Sequence, residues 1–427
     1  MGRMGTDRTA APVAEGGGPR SAALGPSPDT LTRGTLAPAE LARYARHLPL
    51  PGVGLDGQRR LRDARVLVVG AGGLGSPVVQ YLAAAGVGTL GIVDDDVVDA
   101  SNLQRQVLHR DADVGRRKVD SARDAVARTN PHVVVEAHPF RLDASNAVDL
   151  VSTYDVVVDG TDSFGARYLV SDAAEVAGRP VVWGAVHQFD GQVAVFSARP
   201  LGDLPGVTYR DVFPDPPPPG TVPDCATGGV LGVTCGTVGT AMATEVVKLV
   251  TGVGTPLLGR LAVHDALDGT WRYLTVRADP AREPVTAVAE PAPVACAVPA
   301  RADQGAAGDT SAPAAPPTDV SARELADLLE SGADVVVVDV REDWELAAEP
   351  FVHAHDPRVR HVPSGTLLGG GDAARRALAD LPDDRPVAVL CKAGPRSARV
   401  AEVAREAGVD ARNVVGGLVA WRTEVSV

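Results

Sequence analysis

The stretch Arg65–Asp96, which reads VLVVGAGGLGSPVVQYLAAAGVGTLGIVDDD from Val66 onward, constrains the fold more than any other. Val66–Val69 is a mostly β-branched run that suits a buried parallel strand. Gly70-Ala71-Gly72-Gly73-Leu74-Gly75 turns it sharply into an apolar helix, Pro77–Ala85. Backbone amides at such a helix start attract phosphate. Glycines at 70, 72, 73 and 75 let a pyrophosphate approach main chain that side chains would block. A second strand, Thr89–Val93, ends on Asp94, well placed for a ribose hydroxyl. The alternative is a glycine turn that only packs helix on strand. The stretch implies a nucleotide without saying which.

The segment after Asp94 narrows the choice. The chain continues Ser101-Asn102-Leu103-Gln104-Arg105-Gln106 and then Gly115-Arg116-Arg117-Lys118. A cation-rich polar loop beside a phosphate cradle suits triphosphate chemistry better than hydride transfer. With these words the sequence resembles the ubiquitin-activating-like adenylyltransferases that charge small sulfur-carrier proteins, the MoeB and ThiF group. Further matching words are Arg43-Tyr44-Ala45-Arg46-His47, the aspartate end of Asp159-Gly160-Thr161-Asp162, and Cys225-Ala226-Thr227-Gly228-Gly229-Val230-Leu231-Gly232, all in family order. The resemblance implies ATP binding by Arg43, Gly70, Gly72, Gly73, Gly75, Asp94, Ser101, Asn102, Leu103, Gln104, Arg105, Lys118, Asp162 and Ser163. It assigns catalytic roles to Arg105 and Lys118, places Arg43 in the neighbouring subunit's site of a homodimer, and makes Cys225 a second thiol. Without it, Arg43 reads as part of a solvated helix face and Cys225 as a structural thiol in a glycine-rich turn.

The chain has 427 residues, room for two or three domains. A net charge of −13 argues against a nucleic-acid or anionic-membrane surface. No apolar run reads as long enough to cross a bilayer, and the start of the chain has no signal-peptide core, so the expected location is cytoplasmic. Cys225, Cys235, Cys296 and Cys391 form no CxxC pair and read as free thiols in a reducing compartment.

In chain order, residues 1–35 form a Gly-, Ala-, Pro- and Ser-rich tail, expected to be disordered. Ala37–Leu48 reads as a helix. Lys118–Arg128 is a helix stopped by Asn130-Pro131, and Asp155–Asp159 is a buried strand that brings Asp162 to the carboxyl edge of a parallel sheet. There Asp162 suits Mg²⁺ held against ATP phosphates, or else caps the helix that begins near Ser163. The family usually has Asn where this chain has Ser163. Many relatives have CYRC where this chain has Thr208-Tyr209-Arg210-Asp211, and their second CxxC, due near Arg277–Pro284, is missing too. Structural zinc needs four N or S ligands, so none is expected. Gly239–Leu249 reads as a helix with Thr251-Gly252 as its stop, then come strands Arg260–Asp265 and Thr270–Val276. Residues 278–318 read as a Pro/Ala-rich linker.

A second module, 319–427, opens with a capped helix at Ser321-Ala322-Arg323-Glu324. A buried strand ends Asp339-Val340-Arg341, and another, Val387–Leu390, runs into Cys391-Lys392-Ala393-Gly394-Pro395-Arg396-Ser397. A cysteine at a strand end, wrapped by amides ahead of a helix, has its thiolate stabilised. Phosphatases place five residues between Cys and Arg. This loop has four, a smaller ring suited to one terminal sulfur. The DVRE word, this loop and Gly416-Gly417-Leu418-Val419-Ala420-Trp421 resemble a single rhodanese domain, with Cys391 and Arg396 as its catalytic residues. The usual GHIxGA segment is replaced by Val352-His353-Ala354-His355-Asp356-Pro357.

The predicted fold is therefore α/β: a Rossmann-like adenylyltransferase domain with a mixed sheet over 36–277, then a smaller α/β rhodanese domain. This order resembles the fused molybdopterin-synthase sulfurylases. It implies that a small β-grasp carrier ending in Gly-Gly is adenylated with Mg-ATP and then receives sulfur from a Cys391 persulfide, which thiosulfate or a cysteine desulfurase has loaded. Two other readings are an NAD-dependent oxidoreductase with a sulfur-handling tail, and a regulatory protein that docks carriers without turnover.

Overall fold

In a computed structural model, residues 35–216, 229–289, 319–369, 371–382 and 384–425 are described. The chain divides into two units, Met1–Val294 and Ala295–Val427. The first is built on an eight-stranded sheet in the order β3-β2-β1-β4-β5-β6-β7-β8. Its strands are β1 Arg65–Val69, β2 Thr89–Val93, β3 Val134–His138, β4 Val156–Asp159, β5 Val181–His187, β6 Asp190–Phe196, β7 Arg260–Asp265 and β8 Thr270–Thr275. From β3 to β5 every pairing is parallel. From β5 to β8 every pairing is antiparallel, which makes the sheet mixed as expected.

Position in the sheet explains the strand sequences. β1 and β4 are central, and Val66, Leu67, Val68, Val156, Val157 and Val158 are fully buried, as a strand covered on both faces requires. Burying each such side chain contributes roughly 1.5–3 kcal/mol before entropy is charged. The helix Gly75–Ala85 ends on Gly86 in the left-handed conformation. Because parallel β1 and β2 are joined through this helix, the carboxyl ends of both strands and the helix start share one sheet edge.

The helix Gly232–Thr251 starts earlier than its periodicity predicts. By length and composition it is also apolar enough to cross a membrane, contrary to the sequence reading of no such run. More than half of it is buried inside the protein, where it packs on β5, β6 and the helix Gly75–Ala85. Near the start of the described chain only Pro38–Arg43 is helical, where the sequence suggests a helix to Leu48. A further helix, Gly54–Asp63, has no counterpart in the sequence reading because Gly54 and Gly57 blur its period. Of the stretch read as a linker, 278–289 lies among the described residues and is tied to the first unit by Arg282, which pairs with Glu175 and Asp211.

The second unit carries a five-stranded, all-parallel sheet in the order β11-β10-β12-β13-β9. These strands are β9 Asp319–Val320, β10 Val336–Asp339, β11 Val359–His361, β12 Val387–Leu390 and β13 Ala411–Val414. Ser321 and Glu324 form the expected capping box of the helix Ala322–Glu330. β12 lies in the middle of the sheet and delivers Cys391 at its carboxyl end, just before the helix Pro395–Glu406.

Candidate active sites

The glycine turn is shaped by two close approaches. Gly70 has φ of 91°, a conformation open to glycine and strained for other residues. At Gly75 a Cβ would lie 1.9 Å from the Gly70 carbonyl oxygen, so no side chain fits. The result is a hairpin of main chain that closes onto the turn after β4, where the Gly160 N–H donates to the Val69 carbonyl. Asp94 braces this hairpin from β2: its Oδ2 accepts from Ala71 N–H at 2.8 Å and its Oδ1 from Asp96 N–H at 2.9 Å. Burial pushes its carboxyl above the usual range, opposed by the Lys118 charge and by those two hydrogen bonds. Both oxygens keep a lone pair for a ribose hydroxyl.

The loop after β2 returns over this turn. The stem of Arg105 lies against Gly73, and its guanidinium donates to the Ser101 carbonyl at 3.2 Å. Ser101 and Asn102 form a 3₁₀ turn capped by the Asp99 side chain, and the Gln104 main chain packs at the start of the helix Gly232–Thr251. Leu103 is half-buried in the same loop. Lys118, at the first position of the helix Lys118–Thr129, is 5% exposed, and its Nζ donates to Asp96 Oδ2 at 2.8 Å. The Ser163 side chain caps the next helix, Phe164–Ala177, by accepting from Ala166 N–H at 3.2 Å. Asp162 is not needed as the cap. Its carboxylate is exposed beside the turn that touches Gly70 and Gly75, and an exposed oxygen donor there fits Mg²⁺ held against phosphates.

In the second unit Cys391 is 1% exposed. Its Sγ receives the Gly394 N–H at 3.1 Å, and the Ser397 hydroxyl stands 3.2 Å away. Ser397 Oγ is also 2.8 Å from Asn413 Oδ1 and from the Gly394 carbonyl, which fixes the hydroxyl beneath the sulfur. Gly417 closes the cup, since a Cβ there would lie 2.3 Å from the Cys391 carbonyl oxygen. Arg396 does not turn to the sulfur. Its guanidinium makes a two-pronged pair with Glu345, at 2.5 and 2.6 Å, on the short helix Asp343–Ala348. That pairing raises the Arg396 pKa. Burial pushes the Glu345 pKa up, but the bonds from Arg396 and from Glu342 N–H leave it below the usual range.

Both halves of the chain have known relatives. Residues 44–285 match the ThiF family and residues 321–424 match the rhodanese-like domain. This chain belongs to the ThiF family. A probable adenylyltransferase/sulfurtransferase MoeZ of Mycobacterium tuberculosis is 48% identical over 393 residues, covering 91% of this chain and 95% of that protein. The adenylyltransferase and sulfurtransferase MOCS3 of Mus musculus is 39% identical over 422 residues, covering 94% and 89%. A sulfur carrier protein adenylyltransferase of Thermus thermophilus is 53% identical over 241 residues, covering 56% of this chain and 89% of that protein. The chain is an enzyme of this adenylyltransferase/sulfurtransferase type, its ThiF half implying use of ATP, which sets aside the dinucleotide alternative.

Within the ThiF-family half, Arg43 lies far from the glycine turn. Its guanidinium donates to the Thr129 carbonyl at 2.9 Å, at the end of the helix that begins with Lys118. Its neighbour Tyr44 packs on Gly86, the far end of the helix Gly75–Ala85. Both helices start at the sheet edge that carries the glycine turn, so Arg43 sits at the opposite edge of its own chain. Cys225 lies outside the described residues. Three neighbours of the sites escaped the sequence reading. Asp96 holds Lys118, and Glu345 holds Arg396. Buried His109 donates from Nε2 to the Ala71 carbonyl, while its Nδ1 faces Ser121 Oγ. Only Glu345 had a signal, its place one helical turn into the segment that comes after the DVRE word.

Proposed function

We propose that this chain adenylates the C-terminal carboxylate of a small β-grasp carrier ending in Gly-Gly and then converts it to a thiocarboxylate. The observation that carries the reading is the gathering of Asp94, Arg105 and Lys118 around the Gly70–Gly75 turn at one sheet edge. A tail carboxylate oxygen attacks the α-phosphorus of ATP, the bond to the bridging oxygen breaks, and pyrophosphate leaves. Main-chain amides of the turn and the charges of Arg105 and Lys118 offset the negative charge that grows on the phosphates, while Asp94 holds the ribose. Asp162 would hold Mg²⁺, which neutralises phosphate charge when bound. Arg43 acts from a second copy of the chain in a homodimer, and Ser163 lies at the nucleotide edge.

In the second stage the outer sulfur of a Cys391 persulfide attacks the acyl-adenylate carbonyl and AMP leaves, giving an acyl disulfide on Cys391. An external reducing thiol, or a second thiol for which Cys225 is the candidate through a transient acyl or acyl-disulfide link, attacks the acyl disulfide. The S–S bond breaks, carrier thiocarboxylate departs, and the resulting disulfide is reduced by external thiol. Thiosulfate or a cysteine desulfurase reloads Cys391. Gly394 N–H and the Ser397 hydroxyl support the sulfur through these steps. The pathway is that of the molybdenum cofactor or a related carrier, in the cytoplasm. Intact-mass measurement of candidate carriers incubated with the protein, Mg-ATP and thiosulfate tests this. The expected product has one terminal oxygen replaced by sulfur, and a carrier that never becomes AMP-linked overturns the reading.

A further inference from the structure

Two short segments far apart in sequence meet on one carboxylate. Asp211, in the short helix Tyr209–Val212, accepts at Oδ2 from the Thr208 hydroxyl at 2.9 Å and from Thr208 N–H at 2.6 Å. Its Oδ1 accepts from Asp279 N–H at 3.1 Å and from Arg282 Nε at 2.9 Å. Thr208 and Asp211 stand where many relatives have the two cysteines of CYRC, and Asp279 and Arg282 lie in the stretch, Arg277–Pro284, near which their second CxxC is due. Arg282 also donates from Nη2 to Glu175 Oε1 at 3.0 Å, and that oxygen takes Val285 N–H at 2.9 Å. Asp211 and Glu175 have side chains only 3% and 5% exposed.

This donor set does not fit zinc. A guanidinium has no lone pair to give, and neither a hydroxyl nor two hydrogen-bonded carboxylates supply the sulfur or imidazole that a structural site takes. We infer that Asp211, Arg282 and Glu175 form a metal-free ionic cross-link at the position of the zinc site, pinning residues 279–285 to the helices Tyr209–Val212 and Phe164–Ala177. Desolvation of Asp211 is answered by four hydrogen bonds, and its carboxyl stays below the usual range despite burial. None of the three residues is assigned to ATP or to sulfur transfer. The cross-link anchors the helix Tyr209–Val212 without a metal that chelators or thiol oxidation would remove.

The experiment is a double-mutant cycle on the full chain, with metal analysis of the wild type. The wild type is expected to hold no stoichiometric zinc, and its melting temperature to be unmoved by EDTA. Asp211→Asn and Arg282→Met are each expected to lower the melting temperature by about 5–10 °C, and the double variant by clearly less than the sum. Stoichiometric zinc in the wild type, destabilisation by EDTA, or additive single variants would each overturn the inference.

Discussion

Lys118 Nζ donates to Asp96 Oδ2 at 2.8 Å across a steep change in exposure: the lysine side chain is 7% exposed and the aspartate 68%. The ammonium is thus presented from inside the protein, while its counter-charge stands in solvent, where under the proposed reaction phosphate oxygens would compete for the lysine. Lys118→Ala is expected to lower carrier-dependent ATP–pyrophosphate exchange by about 10²–10³-fold, the usual scale for removing a preorganised charge contact. Asp96→Asn is expected to act mainly on KM for ATP, by less than tenfold, since it changes how the lysine is held and not the charge it brings. Steady-state exchange kinetics separate the two.

Cys391→Ala is expected to abolish transfer of sulfur from thiosulfate to cyanide and to leave ATP–pyrophosphate exchange at its wild-type rate. Both assays run on one preparation. Loss of both activities together would mean that the substitution unfolds the chain.

The Glu345–Arg396 pair offers a charge test. Glu345→Gln removes the negative partner and leaves the guanidinium uncompensated beside the cup, so KM for dianionic thiosulfate is expected to fall by about two- to tenfold. Arg396→Ala is expected to move KM the other way by at least as much. Initial-rate measurements over a thiosulfate series check both signs.

His109 sets a pH dependence of stability. Burial lowers its pKa below the ordinary 6.5, and the carbonyl of Ala71 requires its Nε2 to carry the proton. Well above pH 6.5 folded and unfolded chains both hold it neutral and it contributes no slope. As the pH falls through that value, the unfolded chain takes up a proton that the folded chain refuses, and stability drops. Denaturant unfolding between about pH 7.5 and 5.5 is expected to show a shallower decline in His109→Gln than in wild type.

The place of Arg43 at the opposite edge from its own glycine turn gives a complementation test of the proposed homodimer. Arg43→Ala and Lys118→Ala chains, each nearly inactive alone, are expected to regain activity on subunit mixing. A random mixture gives about a quarter of wild-type exchange, because half of the dimers carry one intact site of two. No recovery on mixing would place Arg43 outside the site.

The fold was legible where short-range pattern and long-range packing agree. Val66–Val69, the glycine turn and Asp94 announced themselves because one strand, one turn and one helix fix their own geometry locally. The Cys391 loop did so for the same reason. The helix Gly54–Asp63 was hidden because its glycines carry no period, and the early start of the helix Gly232–Thr251 because Gly232, packed on Gln104, and Gly236 read as loop. The partners Asp96 and His109 were invisible for a different reason. Each meets its target through tertiary contact, and a carboxylate or imidazole in an exposed-looking word gives no sign of what it will face.

The grip of Asp94 on the main chain at Ala71 belongs to the fold itself. The entropy of ordering the glycine turn is therefore lost once, during folding, and under the proposed function would not be lost again at each binding event. In the proposed reaction AMP and pyrophosphate would depart without the turn collapsing, so successive turnovers would start from the same rigid surface, and the slow step would be free to lie with the arrival and release of the protein tail.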